Sequence, residues 1–482
     1  MANAMLANLP PVYGLYGGII PVFIHSLFTG SYQLHVGPYA IGSLMCASFL
    51  SFIDYETEIE EFVSATVTLA FLSGAILVLL SFLRLGIVTR VLSDAVVTAF
   101  TASSAIQLLS SQIGGYWGVS TGTGSPLKQV IILFSPSTIQ NYNWYAFIIG
   151  ITSSILLYVG KELNKKYCPK IPLPLELFLV VLFVFLNWGF NLKAKWNIKI
   201  IGDYEVVKGF PPFSHPAPKY LLQLIPGAII IAIICFSTDI SLGKSFAQQF
   251  NYRLDDNQEM FALGICQVAG SFFSSLPCTV SITRSSVVAN IGGKSPLFSL
   301  MSPLVVLFCL FFLMDWIAYL PNSVLVTIVL VNLIGVFKRF SVLPKLYRCS
   351  RPDFWSFVAC TVVLVFFGAE YGLLAGVCVS LILLALSLKT IKKEKPLPPV
   401  TYQGEIVDAG VYLHFLNRDK LIDKIHSVIL ESPPSVCIDL RKIQYIDTSG
   451  LNAISVQYMC MILTNRKLME FFPIVLVSIV FL

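Results

Sequence analysis

Apolar runs long enough to cross a bilayer recur along this chain from its start to about residue 388. Inside a bilayer no water is available to the backbone, so such runs must become helices that satisfy their own N–H and C=O groups. Only 12% of the 482 residues are charged and 56% are hydrophobic, against roughly a quarter charged in soluble domains. The chain therefore reads as a polytopic α-helical membrane protein with a soluble tail. Its net charge of +6 falls in short loops rather than in a stripe, so no nucleic-acid partner is expected. No GxxxxGK[ST] loop is present, which argues against transport driven by ATP within this chain. No nucleophile–base constellation appears, so an enzyme is not expected. The five histidines lack metal-ligand spacing and the eleven cysteines contain no CxxC pair. The cysteines therefore read as packing residues, and neither metal nor cofactor is expected.

One stretch resists a plain transmembrane reading: Ser274 to Lys294, SSLPCTVSITRSSVVANIGGK. A proline interrupts it, three hydroxyl residues follow (Thr279, Ser281, Thr283), and then Arg284. An arginine at membrane depth costs several kcal/mol unless it meets a partner or a wet cavity. A half-helix whose first N–H groups and nearby arginine meet an anion accounts for the pattern. The competing reading is a Pro-kinked span with Arg284 snorkelling to the interface. Near the start, Gly37-Pro38 breaks the backbone ahead of another apolar run in SYQLHVGPYAIGSLMCASF. A helix beginning there at mid-depth matches the one near Pro277; the alternative is a simple turn before a span reaching about Ile53. Two interrupted segments in corresponding places of two halves point to a mid-membrane binding site.

Around these two segments the remaining spans fall into order. Residues 1–10 read as the end of a span begun earlier, and Val12 to Leu27 can cross next, with His25 at the interface. Spans are expected at about 62–83, 86–112, 144–160, 171–190, 221–243, 259–273, 297–319, 322–337, 353–368 and 370–388. Asp239 closes an apolar run, either as a functional residue or as a helix-end aspartate in the headgroup region. Gly292-Gly293-Lys294 should end the second half-helix. Arg84 and Arg90, the lysines of KELNKKYCPK, and the basic loop KRFSVLPKLYRCSRPD mark cytoplasmic turns, although the lysine-bearing loop 191–219 fits that orientation poorly. Residues 389–398 form a charged, Pro-rich linker. Beyond it strand-like runs (GVYLHF, SVCIDL) alternate with helix-like ones, as in a small α/β domain over 399–482. IQYIDTSGLNAI reads as a strand and a polar turn opening a helix, with Asp447, Thr448 and Ser449 as capping residues.

In AMLANLPPVYGLYGG, HVGPYAIGSLM, DNQEMFALGICQVAGSFF, SITRSSVVANIGGKS, VLVTIVLVNLIGVF and EYGLLAGV the chain resembles the SulP anion transporters, the sulfate permease and prestin group of solute carriers. The tail resembles the STAS domain that follows their membrane part. The resemblance implies an inverted repeat of seven plus seven spans, with the third and tenth broken, in a membrane domain over 1–388. A core unit is then expected to move against a gate unit, elevator fashion. It also implies an anion between the starts of the third and tenth spans, contacting Gly37, Pro38, Tyr39 and Ala40 on one side and Ser281, Ile282, Thr283 and Arg284 on the other. In the eighth span, proton-coupled plant-type relatives carry a glutamate where this chain has Thr238, with Asp239 one position later; these two are the coupling candidates. Ser449 occupies the position phosphorylated in bacterial STAS domains, with plain capping as the alternative.

Two departures accompany the resemblance. The first span and the STAS domain both read as incomplete. The function implied is secondary anion transport or exchange of the sulfate, chloride, bicarbonate or oxalate class. The implied setting is the plasma membrane, with a cytoplasmic STAS domain and a homodimeric assembly. Three alternatives stand beside it: an anion-sensitive motor or sensor without net flux, a nucleobase permease of the same fold, and a truncated non-functional product. Arg284 and the STAS-like tail argue against the permease.

Overall fold

The computed structural model describes residues 1–50, 52–53, 58–84, 94–119, 121, 125–167, 173–203, 209–250, 252 and 254–389, together with four short strands in the tail. Among the described residues, six helices are long and apolar enough to cross a bilayer: Ile59–Phe82, Ala95–Trp117, Trp144–Tyr167, Pro218–Ala247, Pro296–Ile317 and Asn322–Arg348. Shorter apolar helical stretches lie at Tyr13–Phe28 (in two pieces), Ala40–Phe49, Leu175–Phe190 and Leu374–Leu386. At 1.5 Å per residue, the 24 residues of Ile59–Phe82 reach about 36 Å, enough for a hydrocarbon core of about 30 Å. Helices thus run through most of the expected spans, residues 86–93 and 171–172 of two of them lying outside the described residues, and the chain is a polytopic helical membrane protein.

Burial separates inner from outer helices. Ala95–Trp117 and Pro218–Ala247 are more than half buried, whereas Trp144–Tyr167 and Pro296–Ile317 are 28% and 22% buried. The outer ones expose Ile148, Ile155, Leu304 and Phe311, which suits helices facing lipid. Buried side chains also form distinct clusters. One holds Ile41, Met45, Phe62, Leu69, Ile231, Leu263, Cys278 and Ala289. Another holds Ile149, Leu157, Leu179, Phe183, Val324 and Leu325 from the helices around Trp144–Tyr167, Leu175–Phe190 and Asn322–Phe337.

The two halves of the chain meet in a two-stranded antiparallel sheet. Strand β1, Val36–Pro38, pairs with β2, Cys278–Val280, in the register Val36↔Val280, Gly37↔Thr279 and Pro38↔Cys278. Each strand runs into a ten-residue helix, Ala40–Phe49 and Ile282–Ile291. Ten residues rise about 15 Å, half the bilayer core. Both segments are therefore half-helices, and neither the Pro-kinked span nor the full span to Ile53 describes them. The second helix does not open at the proline, however. Pro277 precedes the extended Cys278–Val280, and the helix begins at Ile282, because pairing with β1 captures the intervening residues. It ends at Gly292, whose φ of 83° is the left-handed conformation favoured after a helix C-terminus.

The second apolar run also departs from expectation. It forms two short helices, Tyr13–Tyr16 and Ile20–Phe28, rather than one. Gly17 sits in the break against Pro38; a Cβ there would lie 2.6 Å from the proline Cγ, so only glycine allows this approach.

β2 is held from both sides by buried polar groups. The Gln267 side-chain amide donates to the Cys278 carbonyl at 2.8 Å and accepts from the Ser73 hydroxyl at 2.5 Å. The Thr279 hydroxyl donates to the Cys235 carbonyl at 3.0 Å. Gln267 is placed by the crossing of Ile59–Phe82 with Asp256–Ser271 (16 residues), which pack glycine to glycine. A Cβ on Gly74 would stand 2.7 Å from the Gly264 carbonyl oxygen. Small residues at such crossings let membrane helices approach closely. In the tail, Glu405–Asp408 pairs in parallel with Val436–Asp439, and Tyr412–Leu413 with Tyr445–Ile446. Parallel pairing requires a crossover connection between the strands. Ser449 lies outside the described residues.

Candidate functional site

Both half-helices begin with an extended residue. Tyr39 is the N-cap of Ala40–Phe49 (φ −136°, ψ 145°) and Ser281 the N-cap of Ile282–Ile291 (φ −98°, ψ 115°). Neither side chain caps its own helix. The first backbone N–H groups of a helix have no intrahelical acceptor, and they carry the positive end of the helix dipole. The chain before β1 fixes the second start: Ser281 N–H donates to the His35 carbonyl at 3.1 Å, and His35 N–H donates to the Ser285 hydroxyl at 3.0 Å.

Arg284, in the first turn of the second half-helix, reaches across to the first. Its Nη2 donates to the Pro38 carbonyl at 3.4 Å, while the Asn3 side-chain amide donates to the same oxygen at 2.7 Å. The approach relies on Gly37, where a Cβ would lie 2.8 Å from Nη2. The guanidinium Nε is buried and has no hydrogen-bond partner among the described residues. Thr283 is exposed, and Tyr39, Ala40, Ile282 and Arg284 are half-buried, so the helix starts are open to a ligand. The Ser281 and Thr283 hydroxyls lie 3.1 Å apart at the same edge. A cavity of about 440 Å³, lined by Leu44, Ala47, Gln107, Lys199 and Asn322 among others, flanks the far end of the first half-helix rather than its start.

Gly37, Pro38, Tyr39 and Ala40 thus come together with Ser281, Ile282, Thr283 and Arg284. Thr238 and Asp239 behave differently. Both lie inside the continuous helix Leu221–Gln249, where the Thr238 hydroxyl donates to the Ile234 carbonyl. Asp239 is 0% exposed and is not a headgroup aspartate. It gathers with His25 and Glu259, and among the described residues it forms no ion pair with Arg284. His25 is likewise not at the interface. It is 1% exposed, with Nε2 4.0 Å from the Glu259 carboxylate.

Glu259 was not singled out by sequence reasoning. It follows the N-cap Asp255, whose side chain accepts from the N–H groups of Asn257 and Gln258. Glu259 accepts from the Thr29 hydroxyl at 2.8 Å and from the Gly30 N–H at 2.6 Å. A single acid entering an apolar run one turn after a capping aspartate was the available signal.

The class defined by this architecture is a polytopic membrane protein in which two half-helices meet start to start. The chain belongs to the sulfate permease family, whose model matches residues 1–360. Rat (Rattus norvegicus) prestin is 31% identical over 432 residues, covering 86% of this chain and 57% of prestin. Human (Homo sapiens) solute carrier family 26 member 6 is 28% identical over 86% of this chain and 55% of that protein. Sulfate transporter 4.1, chloroplastic, of Arabidopsis thaliana is 29% identical over 95% of this chain and 70% of that protein. The chain thus spans 57% or less of the length of the prestin and solute carrier relatives. Among solved structures, SLC26A9 superposes with a TM-score of 0.74 at 25% identity, covering 95% of this chain and 79% of that one. The transmembrane domain of the cyanobacterial bicarbonate transporter BicA shares the fold, with a TM-score of 0.65 at 17% identity over 78% of this chain and 92% of that one.

Proposed function

We propose that this chain carries small inorganic or organic anions across the membrane by secondary transport or exchange. The anion is bound between the starts of the two half-helices beside Arg284. The observation that carries this reading is the β1–β2 pairing, which joins two helix N-termini and one guanidinium at a single place. Backbone N–H groups, dipoles and one cation favour negative charge without fully neutralising it, so the ion can also leave. Sulfate, chloride, bicarbonate and oxalate are the candidate substrates, in keeping with a family named for sulfate.

Alternating access is proposed to work as an elevator. The half-helices share one buried cluster with Ile59–Phe82 and Asp256–Ser271, while Trp144–Tyr167, Leu175–Phe190 and Asn322–Phe337 share another. Two such clusters are what a moving core and a gate would each need, with Leu44 of the first half-helix meeting Val329 and Leu333 where the two adjoin. The proposal extends to a seven-plus-seven inverted repeat over 1–388, a linker over 389–398, and a STAS domain over 399–482. It further includes a plasma-membrane homodimer with that domain in the cytoplasm.

The test is uptake of labelled sulfate and chloride into proteoliposomes holding the folded chain. Saturable uptake, competed by other anions and reduced in Arg284→Ala, supports the proposal. A second reading, a motor that binds anions without carrying them, draws on the 31% identity to prestin. Charge movement in patch recordings without net flux would favour that reading.

A further inference from the structure

Three ionisable side chains, each from a different helix, converge in the protein interior. His25 comes from Ile20–Phe28, Asp239 from Leu221–Gln249 and Glu259 from Asp256–Ser271. One donor atom from each lies within 4.8 Å of the other two. The three residues are 1%, 0% and 0% exposed. Glu259 is partly satisfied by Thr29 and Gly30, but both Asp239 oxygens and the His25 Nε2 have no hydrogen-bond partner among the described residues. No Lys or Arg among the described residues forms an ion pair with either carboxylate; Lys244, the nearby helix lysine, pairs with Asp256 at 2.9 Å.

Two carboxylates and an imidazole in a low-dielectric interior, with lone pairs aimed at one another, lack a counter-charge. We propose that this cluster binds one divalent transition-metal ion of the zinc class through His25 Nε2, Asp239 and Glu259. The donor set fits: imidazole nitrogen and carboxylate oxygen both ligate zinc at about 2.0–2.2 Å, and three protein ligands leave a fourth position for water. A neutral imidazole with two carboxylates carries two negative charges, which a divalent ion balances. Two donors on one tetrahedral ion of this bond length stand about 3.3 Å apart, so the His25–Glu259 edge of 4.0 Å and the other two edges, all within 4.8 Å, must draw in by about 1 Å on binding. Hard cations such as magnesium prefer all-oxygen sites, and the imidazole disfavours them.

Entry is short. Glu259 lies three residues into its helix, beneath the segment Phe28–Tyr32, whose Phe28 and Tyr32 are exposed. Occupancy would tie three helices together. One of them also holds β2, because the Cys235 carbonyl that accepts from Thr279 lies one turn before Asp239. The inference does not depend on the anion reading.

The experiment uses the purified full chain in detergent, stripped of metal with a chelator and then titrated with zinc, with cobalt as a spectroscopic probe. Saturable binding of one ion per chain, a raised melting temperature and a visible cobalt absorption band are expected. His25→Ala and Asp239→Asn should each weaken binding at least about tenfold and abolish the cobalt band. Size-exclusion profiles show whether each variant is folded; His25→Ala removes a neutral donor and keeps the test open should Asp239→Asn fail to fold. Absence of saturable binding to the folded wild-type chain overturns the proposal, as does binding that survives both substitutions unchanged.

Discussion

Arg284 Nη2 lies 3.4 Å from the carbonyl oxygen of Pro38, a residue 246 positions earlier in the chain. The guanidinium of one half-helix thus bridges to the start of the other, and its remaining donors stand at the edge of the proposed anion site. Arg284→Ala removes a charge-assisted donor worth roughly 1.5–3 kcal/mol. The half-saturating anion concentration should then rise about 10- to 100-fold. Arg284→Lys keeps the charge without the planar fork and should fall between. Uptake measured against sulfate concentration decides it; an unchanged half-saturation in Arg284→Ala places the anion elsewhere.

Gly37 makes that bridge sterically possible. A Cβ there meets the Arg284 Nη2 at 2.8 Å, at a backbone φ of 153°. Gly37→Ala both displaces the guanidinium and strains a backbone conformation that residues with a Cβ rarely adopt. Weaker anion affinity together with a lowered melting temperature is expected. A drop in melting temperature with unchanged affinity would falsify the positioning role.

Gly74 and Gly264 test the scaffold separately. The Gly74 Cβ position is blocked by backbone, 2.7 Å from Gly264 O and 2.8 Å from Val268 N, and neither atom can rotate away. Gly74→Leu should force the two helices apart and cost about 1–3 kcal/mol or more. A clear fall in the detergent melting temperature is expected; equal stability would mean that the helices re-pack at no cost.

Sequence legibility followed the range of the interactions. Gly37-Pro38 and the Pro277 interruption act locally on the backbone, so both broken spans could be read, as could the Gly292 terminus. The start at Ile282 could not, because Cys278–Val280 becomes a strand only by pairing with residues more than two hundred positions away. For the same reason His25 read as an interface residue, and Asp239 as either a functional residue or a helix-end aspartate. Their burial is set by each other and by Glu259, which no local spacing reveals. Gly17 was hidden differently: its role is to receive Pro38, and hydropathy does not register a close approach.

Gln267 links scaffold to site. Its amide spans two helices, donating to Cys278 O in β2 and accepting from Ser73. Gln267→Leu removes both bonds and leaves a buried carbonyl and hydroxyl to find other partners, at a cost of about 1–3 kcal/mol. Gln267→Glu keeps an acceptor for Ser73 but brings no N–H to Cys278 when ionised. Because β2 leads directly into Ser281 and Arg284, both variants should lower anion affinity along with the melting temperature. Ser73→Ala cuts only the bond on the far side of Gln267 and should lower stability with little change in affinity. Thermal unfolding and uptake curves on the three variants separate the two effects. If Gln267→Leu and Ser73→Ala behave alike in both measurements, β2 is not the element through which Gln267 acts.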